Sequence, residues 1–226
     1  MGRMTASSFA RRQTYFEKAP RFTMPERITK FERTQIRVVA GNLRGRKITC
    51  DVHEGMRPTP QMVREALFSI LGNAVPGRAF YDLFAGTGIN GFEAISRGAS
   101  SARFIEYDSK LVNQIQKYAQ NFGVASQVQV LKADVYGWAE RWIPGGSDPV
   151  NLFLSPPFPD LSQKADEFLK LVNDLLERAP DDSVLTIQAE DGFPVEKLPA
   201  IEHWDVRRYG RNMLLFRVKG EEKQAS

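Results

Sequence analysis

From about residue 79 onward, short apolar runs alternate with amphipathic segments, and this alternation constrains the fold more than any other feature of the chain. Strands are predicted near 79–84, 102–107, 127–131, 150–154, 184–189, 204–208 and 213–218. Helices are predicted near 89–97, 109–122, 135–142 and 162–178. Apolar strands separated by amphipathic helices demand a mostly parallel sheet covered on both faces. The last two strands have no helix between them, and Gly210-Arg211-Asn212 supplies a turn, so the sheet ends in an antiparallel hairpin. The expected fold is therefore α/β, doubly wound, with seven strands. A chain of 226 residues has room for one such domain and a short appendage.

The appendage is N-terminal. Residues 1–34 show no sustained period and are expected to be a basic, disordered tail. Residues 36–40 and 46–49 form a predicted β-hairpin whose turn carries Arg44, Arg46 and Lys47. A helix follows, with Thr59 as its cap, Pro60 in its first position, and Met62, Ala66, Leu67, Ile70 and Leu71 on one apolar face; Gly72 ends it. The expected organisation is a tail over 1–34, a hairpin and helix over 35–72, a catalytic domain over 73–220 and a second tail over 221–226.

Charge follows the same division. Residues 1–64 hold 14 Lys/Arg against 5 Asp/Glu, a balance of +9, while the remainder holds 17 against 22, a balance of −5. A polyanion such as nucleic acid is the natural partner of such a segment, the alternative being a solvated tail that binds nothing. Cys50 is the single cysteine, so no intramolecular disulfide exists, and with only His53 and His203 beside it no metal centre is expected. No run of 18 apolar residues suggests a membrane span.

The loop after the first sheet strand is Asp82-Leu83-Phe84-Ala85-Gly86-Thr87-Gly88-Ile89-Asn90-Gly91. Gly86 and Gly88 let backbone approach a ligand, and strand carboxyl ends are where ligands bind in open α/β sheets. Glu106 ends the next strand, where a carboxylate can hold two ribose hydroxyls. Asp108, expected to point to the other face, is assigned as the cap of the following helix. Asp82 would repel a pyrophosphate and suits a cationic ligand, such as the ammonium and sulfonium of S-adenosylmethionine. Here the chain resembles the class I methyltransferases, Rossmann-like enzymes whose first motif looks like Asp-x-Phe-x-Gly-x-Gly. The resemblance implies cofactor contacts at Asp82, Phe84, Gly86, Gly88 and Glu106. It also places Asp134 against the adenine amine; the alternative for Asp134 is a helix N-cap.

Ser155-Pro156-Pro157-Phe158 follows the strand at 150–154. Two prolines remove two backbone donors and hold the chain extended. The Pro156 carbonyl and Ser155 oxygen can then accept from an exocyclic base amine, while Phe158 stacks on a flipped-out base. Two acceptors favour the pyramidal amine whose lone pair can attack a methyl group, and stabilise the charge growing on nitrogen. The tetrapeptide resembles the Asp/Asn/Ser-Pro-Pro-Tyr/Phe signature of amino-methyltransferases. Val38 to Lys47, Met56-Arg57-Pro58-Thr59 and Val63 to Phe68 resemble the N-terminal signatures of the bacterial family that methylates a guanine N2 in small-subunit (16S) ribosomal RNA. That resemblance covers about residues 36–218. It implies a cytoplasmic, monomeric enzyme acting on ribosomal RNA, contacted by Arg37, Arg44, Arg46, Lys47 and Arg57. Relatives usually carry Asp where this chain has Ser155, and Ser-Pro-Pro is also typical of cytosine-N4 DNA methyltransferases. The alternatives are thus a DNA amino-methyltransferase or a non-catalytic ribosome-assembly factor; an NAD oxidoreductase is disfavoured by Asp82.

Overall fold

In the computed structural model, residues 32–52 and 58–220 are described. Strands β1 (Glu32–Arg37) and β2 (Lys47–Val52) pair as an antiparallel hairpin, followed by helix α1 (Gln61–Leu71). The main domain then runs β3 (Ala79–Leu83), α2 (Ile89–Ser96), β4 (Ser101–Glu106), α3 (Ser109–Asn121), β5 (Val128–Lys132), α4 (Val135–Ala139) and β6 (Asn151–Leu154). It continues with α5 (Phe158–Gln163), α6 (Ala165–Arg178), β7 (Val184–Glu190), β8 (Asp205–Tyr209) and β9 (Asn212–Val218). The order across the seven-stranded sheet is β5-β4-β3-β6-β7-β9-β8. Strands β3 to β7 are parallel, and β9 is antiparallel to both its neighbours. This is the doubly wound class I methyltransferase architecture.

Alternating side chains feed separate cores on the two faces of the sheet. On one face Tyr81, Leu83, Leu152, Leu154 and Leu185 pack against α4 and α6 through Val135, Ala139, Phe168 and Leu171. On the other, Phe80, Phe153 and Val184 meet Val63, Leu67, Phe68 and Leu71 of α1. Beside them Phe104 packs with α2 and α3, and Val38, Leu43 and Ile48 anchor the hairpin there. The strand order reverses between β3 and β6. A cleft therefore opens at their carboxyl ends, where open α/β sheets bind ligands. No helix among the described residues is long and apolar enough to cross a membrane.

Four expectations need correction. The first hairpin strand lies at Glu32–Arg37, not 36–40. Val38 still bonds Arg46 and Gly45 across the hairpin, and residues 39–43 then leave it because α2 offers them better partners. The Glu93 carboxylate accepts from the Val39 and Ala40 N–H groups at 2.8 and 3.1 Å, and Ser96 binds Asn42 and Leu43. Thr59 does not cap α1. Pro60 is the N-cap residue, without a side-chain bond, because the Thr59 hydroxyl is committed across the sheet to Gln188. The apolar face of α1 is also rotated: Met62 is 62% exposed, while Val63 and Phe68 point inward. Finally, the helix expected over 162–178 is two helices, broken where Lys164 leaves helical geometry.

Candidate active site

The glycine loop turns sharply out of β3. Phe84 adopts φ 63, a left-handed conformation costly for a residue with a Cβ, so the surrounding bonds must enforce it. Those bonds are Ala85 N–H to the Ile105 carbonyl at 3.1 Å and Gly86 N–H to Glu106 Oε2 at 2.7 Å. Gly88 caps α2 at φ 74, and a Cβ there would stand 2.9 Å from Ile115. At Gly91 a Cβ would stand 2.2 Å from the Phe104 ring, so glycine is what lets α2 lie on the sheet.

The acids divide by depth. Glu106 lines the cavity at the carboxyl ends of the strands, its Oε1 accepting from the Asp108 N–H at 2.8 Å. Burial raises its pKa, opposed by the backbone bonds it accepts. Asp108 caps α3 as expected, accepting from the Lys110 and Leu111 N–H groups, but it lines the cavity and does not face away from it, because the chain has left β4 by then and follows no strand alternation. Asp134 caps α4 through Gly137 N–H at 2.9 Å, and it also lines the cavity. Asp82 lies deeper, 1% exposed beneath the loop and outside the lining. Its Oδ2 accepts from Gly91 N–H at 3.0 Å, and its Oδ1 has no partner among the described residues. Burial pushes its pKa up to about 8, with the Glu106 charge adding a smaller push in the same direction.

Ser155, Pro156, Pro157 and Phe158 line the same cavity, of about 240 Å³, facing the glycine loop. Ser155 N–H bonds the Leu83 carbonyl at 3.3 Å, which fixes the tetrapeptide against the end of β3. Phe158 opens α5 and packs, half-buried, against the core under α4 and α6. Tyr136 of α4 clasps this element: its hydroxyl donates to Asp160 at 3.0 Å, and its ring meets Phe84 edge-on. Burial and the neighbouring Asp160 charge raise the Tyr136 pKa.

Sequence reasoning missed the far wall. Gln188 follows Ile187, the partner of Leu154, and so stands beside Ser155 at the ends of adjacent strands. Thr59 donates to Gln188 at 2.7 Å and accepts from Asn90 Nδ2 at 3.1 Å. All three are buried cavity-lining residues, and Asn90 Oδ1 has no partner among the described residues. Gln188 did carry a signal, being a large polar side chain in the buried run of a strand, two residues from its end. Tyr107, 75% exposed beside Glu106, also lines the cavity. Of the residues expected to meet RNA, Arg37, Arg44, Arg46 and Lys47 are exposed on the hairpin and none lines this cavity; Arg57 lies outside the described residues. No group of three His, Cys, Asp or Glu side chains that could hold a metal occurs among the described residues.

A family profile described as "Conserved hypothetical protein 95" matches residues 36–218. The chain is 36% identical over 126 residues to "Ribosomal RNA small subunit methyltransferase D" of Haemophilus influenzae, an alignment spanning 55% of this chain and 64% of that protein. It is 31% identical over 175 residues to the protein of that name from Escherichia coli K12, covering 77% of this chain and 83% of the relative. The solved structure of the "Putative methyltransferase yhhF" from Escherichia coli superposes with a TM-score of 0.64 at 28% identity, covering 83% of this chain and all of that one.

Proposed function

The chain belongs to the Conserved hypothetical protein 95 family, and from that membership we propose that it methylates the exocyclic N2 amine of a guanine in 16S ribosomal RNA, using S-adenosylmethionine. One observation carries the reading. The Ser-Pro-Pro-Phe acceptors line the same cavity as the glycine loop and Glu106, so amine and methyl donor would meet there.

The donor set fits that cofactor. Glu106 would accept from the ribose hydroxyls, Asp134 would face the adenine amine, and Tyr107 would cover the adenine ring. Asp82, buried beneath the loop and outside the lining, would act by holding Gly91 N–H and so the shape of the loop, not by touching the cofactor. When bound, the cofactor supplies a methyl group on a sulfonium, already activated for transfer.

The rest of the barrier lowering falls to the chain. Phe158 stacks on the extruded base, while Ser155 Oγ and the Pro156 carbonyl accept the amine hydrogens and aim the lone pair. The amine gains the methyl and gives up one proton. Ser155 is too weak a base near neutral pH to take that proton, so it passes to water. The exposed hairpin cations Arg37, Arg44, Arg46 and Lys47, with Arg57, would meet the phosphates.

Tritiated methyl transfer to small subunits, naked ribosomal RNA and DNA, followed by nucleoside analysis, tests the proposal. The expected product is N2-methylguanosine in RNA. Label recovered as N4-methylcytosine in DNA would overturn it.

A further inference from the structure

The far wall of the cavity carries polar groups that the methyl-transfer scheme does not use. Thr59, Asn90 and Gln188 are each 4% exposed and line the cavity. Their bonds run in one direction. Asn90 Nδ2 donates to Thr59 Oγ1 at 3.1 Å, and the Thr59 hydroxyl donates in turn to Gln188 Oε1 at 2.7 Å. On its other side Gln188 Nε2 donates to Asn212 Oδ1 at 3.4 Å. This pairing keeps an oxygen, not an NH₂ group, on the Thr59 side of Gln188. That oxygen still has a second lone pair to offer. Reversing the amide would give up both bonds.

Gln188 stands level with Ser155 at the ends of adjacent strands, because Leu154 pairs with Ile187. An incoming base therefore meets acceptors side by side: Ser155 Oγ, the Pro156 carbonyl and Gln188 Oε1. Asn90 Oδ1, without a partner among the described residues, adds a further acceptor to this wall. Bases that carry an exocyclic amine differ in the ring atoms beside it. In guanine one neighbouring ring nitrogen, N1, carries a hydrogen. In adenine and cytosine the neighbouring ring nitrogen is a bare lone pair. Guanine thus presents hydrogens on two adjacent nitrogens, one for each acceptor of the Ser155–Pro156–Gln188 row. Adenine or cytosine would set a lone pair against Gln188 Oε1. A buried polar group rejects a ligand that leaves it unpaired or opposed.

We propose that Gln188 is the residue that selects guanine, by accepting the N1 hydrogen beside the amine that Ser155 and Pro156 hold. Thr59 and Asn90 are positioning residues, which keep the Gln188 oxygen toward the base. The inference rests on the reading of the cavity as the site of an amine-bearing base. Base choice is then separate from base chemistry. Ser155-Pro156-Pro157-Phe158 suits any flat ring with an amine, and the far wall decides which ring stays.

The test uses the full chain loaded with S-adenosylhomocysteine and two soluble probes, guanosine 5′-monophosphate and the 5′-monophosphate of 2-aminopurine riboside. The second probe keeps the 2-amine and lacks the N1 hydrogen. Binding of each is read by ligand-observed NMR. The parent should prefer the guanosine probe by about tenfold, the worth of one hydrogen bond against one opposed lone pair. Gln188→Met, of similar length and without the acceptor, should bind the two alike. Gln188→Glu should keep the preference, since a carboxylate only accepts. Thr59→Val removes the donor behind Gln188 and should narrow the preference. Calorimetric affinity for S-adenosylhomocysteine should match the parent in every variant, which separates loss of the acceptor from loss of the fold. A parent without preference, including one that binds neither probe, overturns the proposal, as does a Gln188→Met protein that retains the preference. Should the methionine variant fail to fold, an unchanged preference in Thr59→Val overturns it instead. A parent that selects guanine through Gln188 yet methylates no ribosomal RNA overturns the functional reading and leaves the selection by Gln188 standing.

Discussion

The two ends of the cavity are built on opposite principles. At the β4 end each acid is held by backbone: Glu106 by Gly86 and Asp108, Asp108 by the first turn of α3, Asp134 by the first turn of α4. At the β6–β7 end Thr59, Asn90 and Gln188 bond chiefly to one another, and an Asn90 oxygen is left over. Backbone bonds fix a group's position before any ligand arrives; a chain of side chains can re-pair around one. The first end is therefore held in place by backbone, and the second is free to re-pair.

Asp82, beneath the preformed end, offers the largest effect. Its pKa rises from the ordinary 3.8 to about 8, so between those values the folded state holds more protons than the unfolded one. Stability should then fall as pH climbs through that window, by up to about 1.4 kcal/mol per pH unit. Asp82→Asn should remove that slope, read as urea midpoints at pH 5 and pH 7.5. A parent and variant with parallel pH profiles would show that Asp82 stays charged. Next, Glu106→Ala should weaken cofactor binding by about 3 kcal/mol, roughly a hundredfold, through two lost charge-assisted bonds. Unchanged calorimetric affinity in a folded variant would end its assignment to the ribose.

At the other end, Ser155→Ala should slow single-turnover methyl transfer ten- to a thousandfold while cofactor affinity holds. Ser155→Asp should match or exceed the parent, since a carboxylate accepts more strongly. An alanine variant as fast as the parent would leave orientation of the amine to Pro156 and Phe158. The smallest effect belongs to Tyr136→Phe, which loses the bond to Asp160 and should cost about 1 kcal/mol in thermal or urea unfolding. No loss there would mean that α5 is held by packing alone.

These contrasts also mark what could be read from the sequence. Glu106, Asp108 and the glycine loop were legible because strand ends and helix starts have short-range signatures, and backbone does the holding. Ser155 to Phe158 were legible because two prolines after an apolar strand leave few conformations. Arg64 was not: a charge on an amphipathic helix normally marks the solvent side, and only the carbonyls of Thr59 and Arg37 explain its burial. Thr59 looked like a cap because its competitor, Gln188, lies 129 residues away. The first hairpin strand was misplaced for the same reason, since residues 39–43 answer to Glu93 and Ser96, which no local pattern reveals.

The buried Glu93 bears on how this protein could be re-engineered. The segment preceding the main domain looks like a cassette to be cut off or exchanged between relatives. Yet Glu93 is fully buried, with Val39 and Ala40 among its partners. Excision would take away its Val39 and Ala40 N–H partners and leave Arg97 to hold the carboxylate alone. A graft that is to fold would have to carry Arg64, Glu93 and Ser96 along with the hairpin. The hairpin and the main domain are here inherited as one unit.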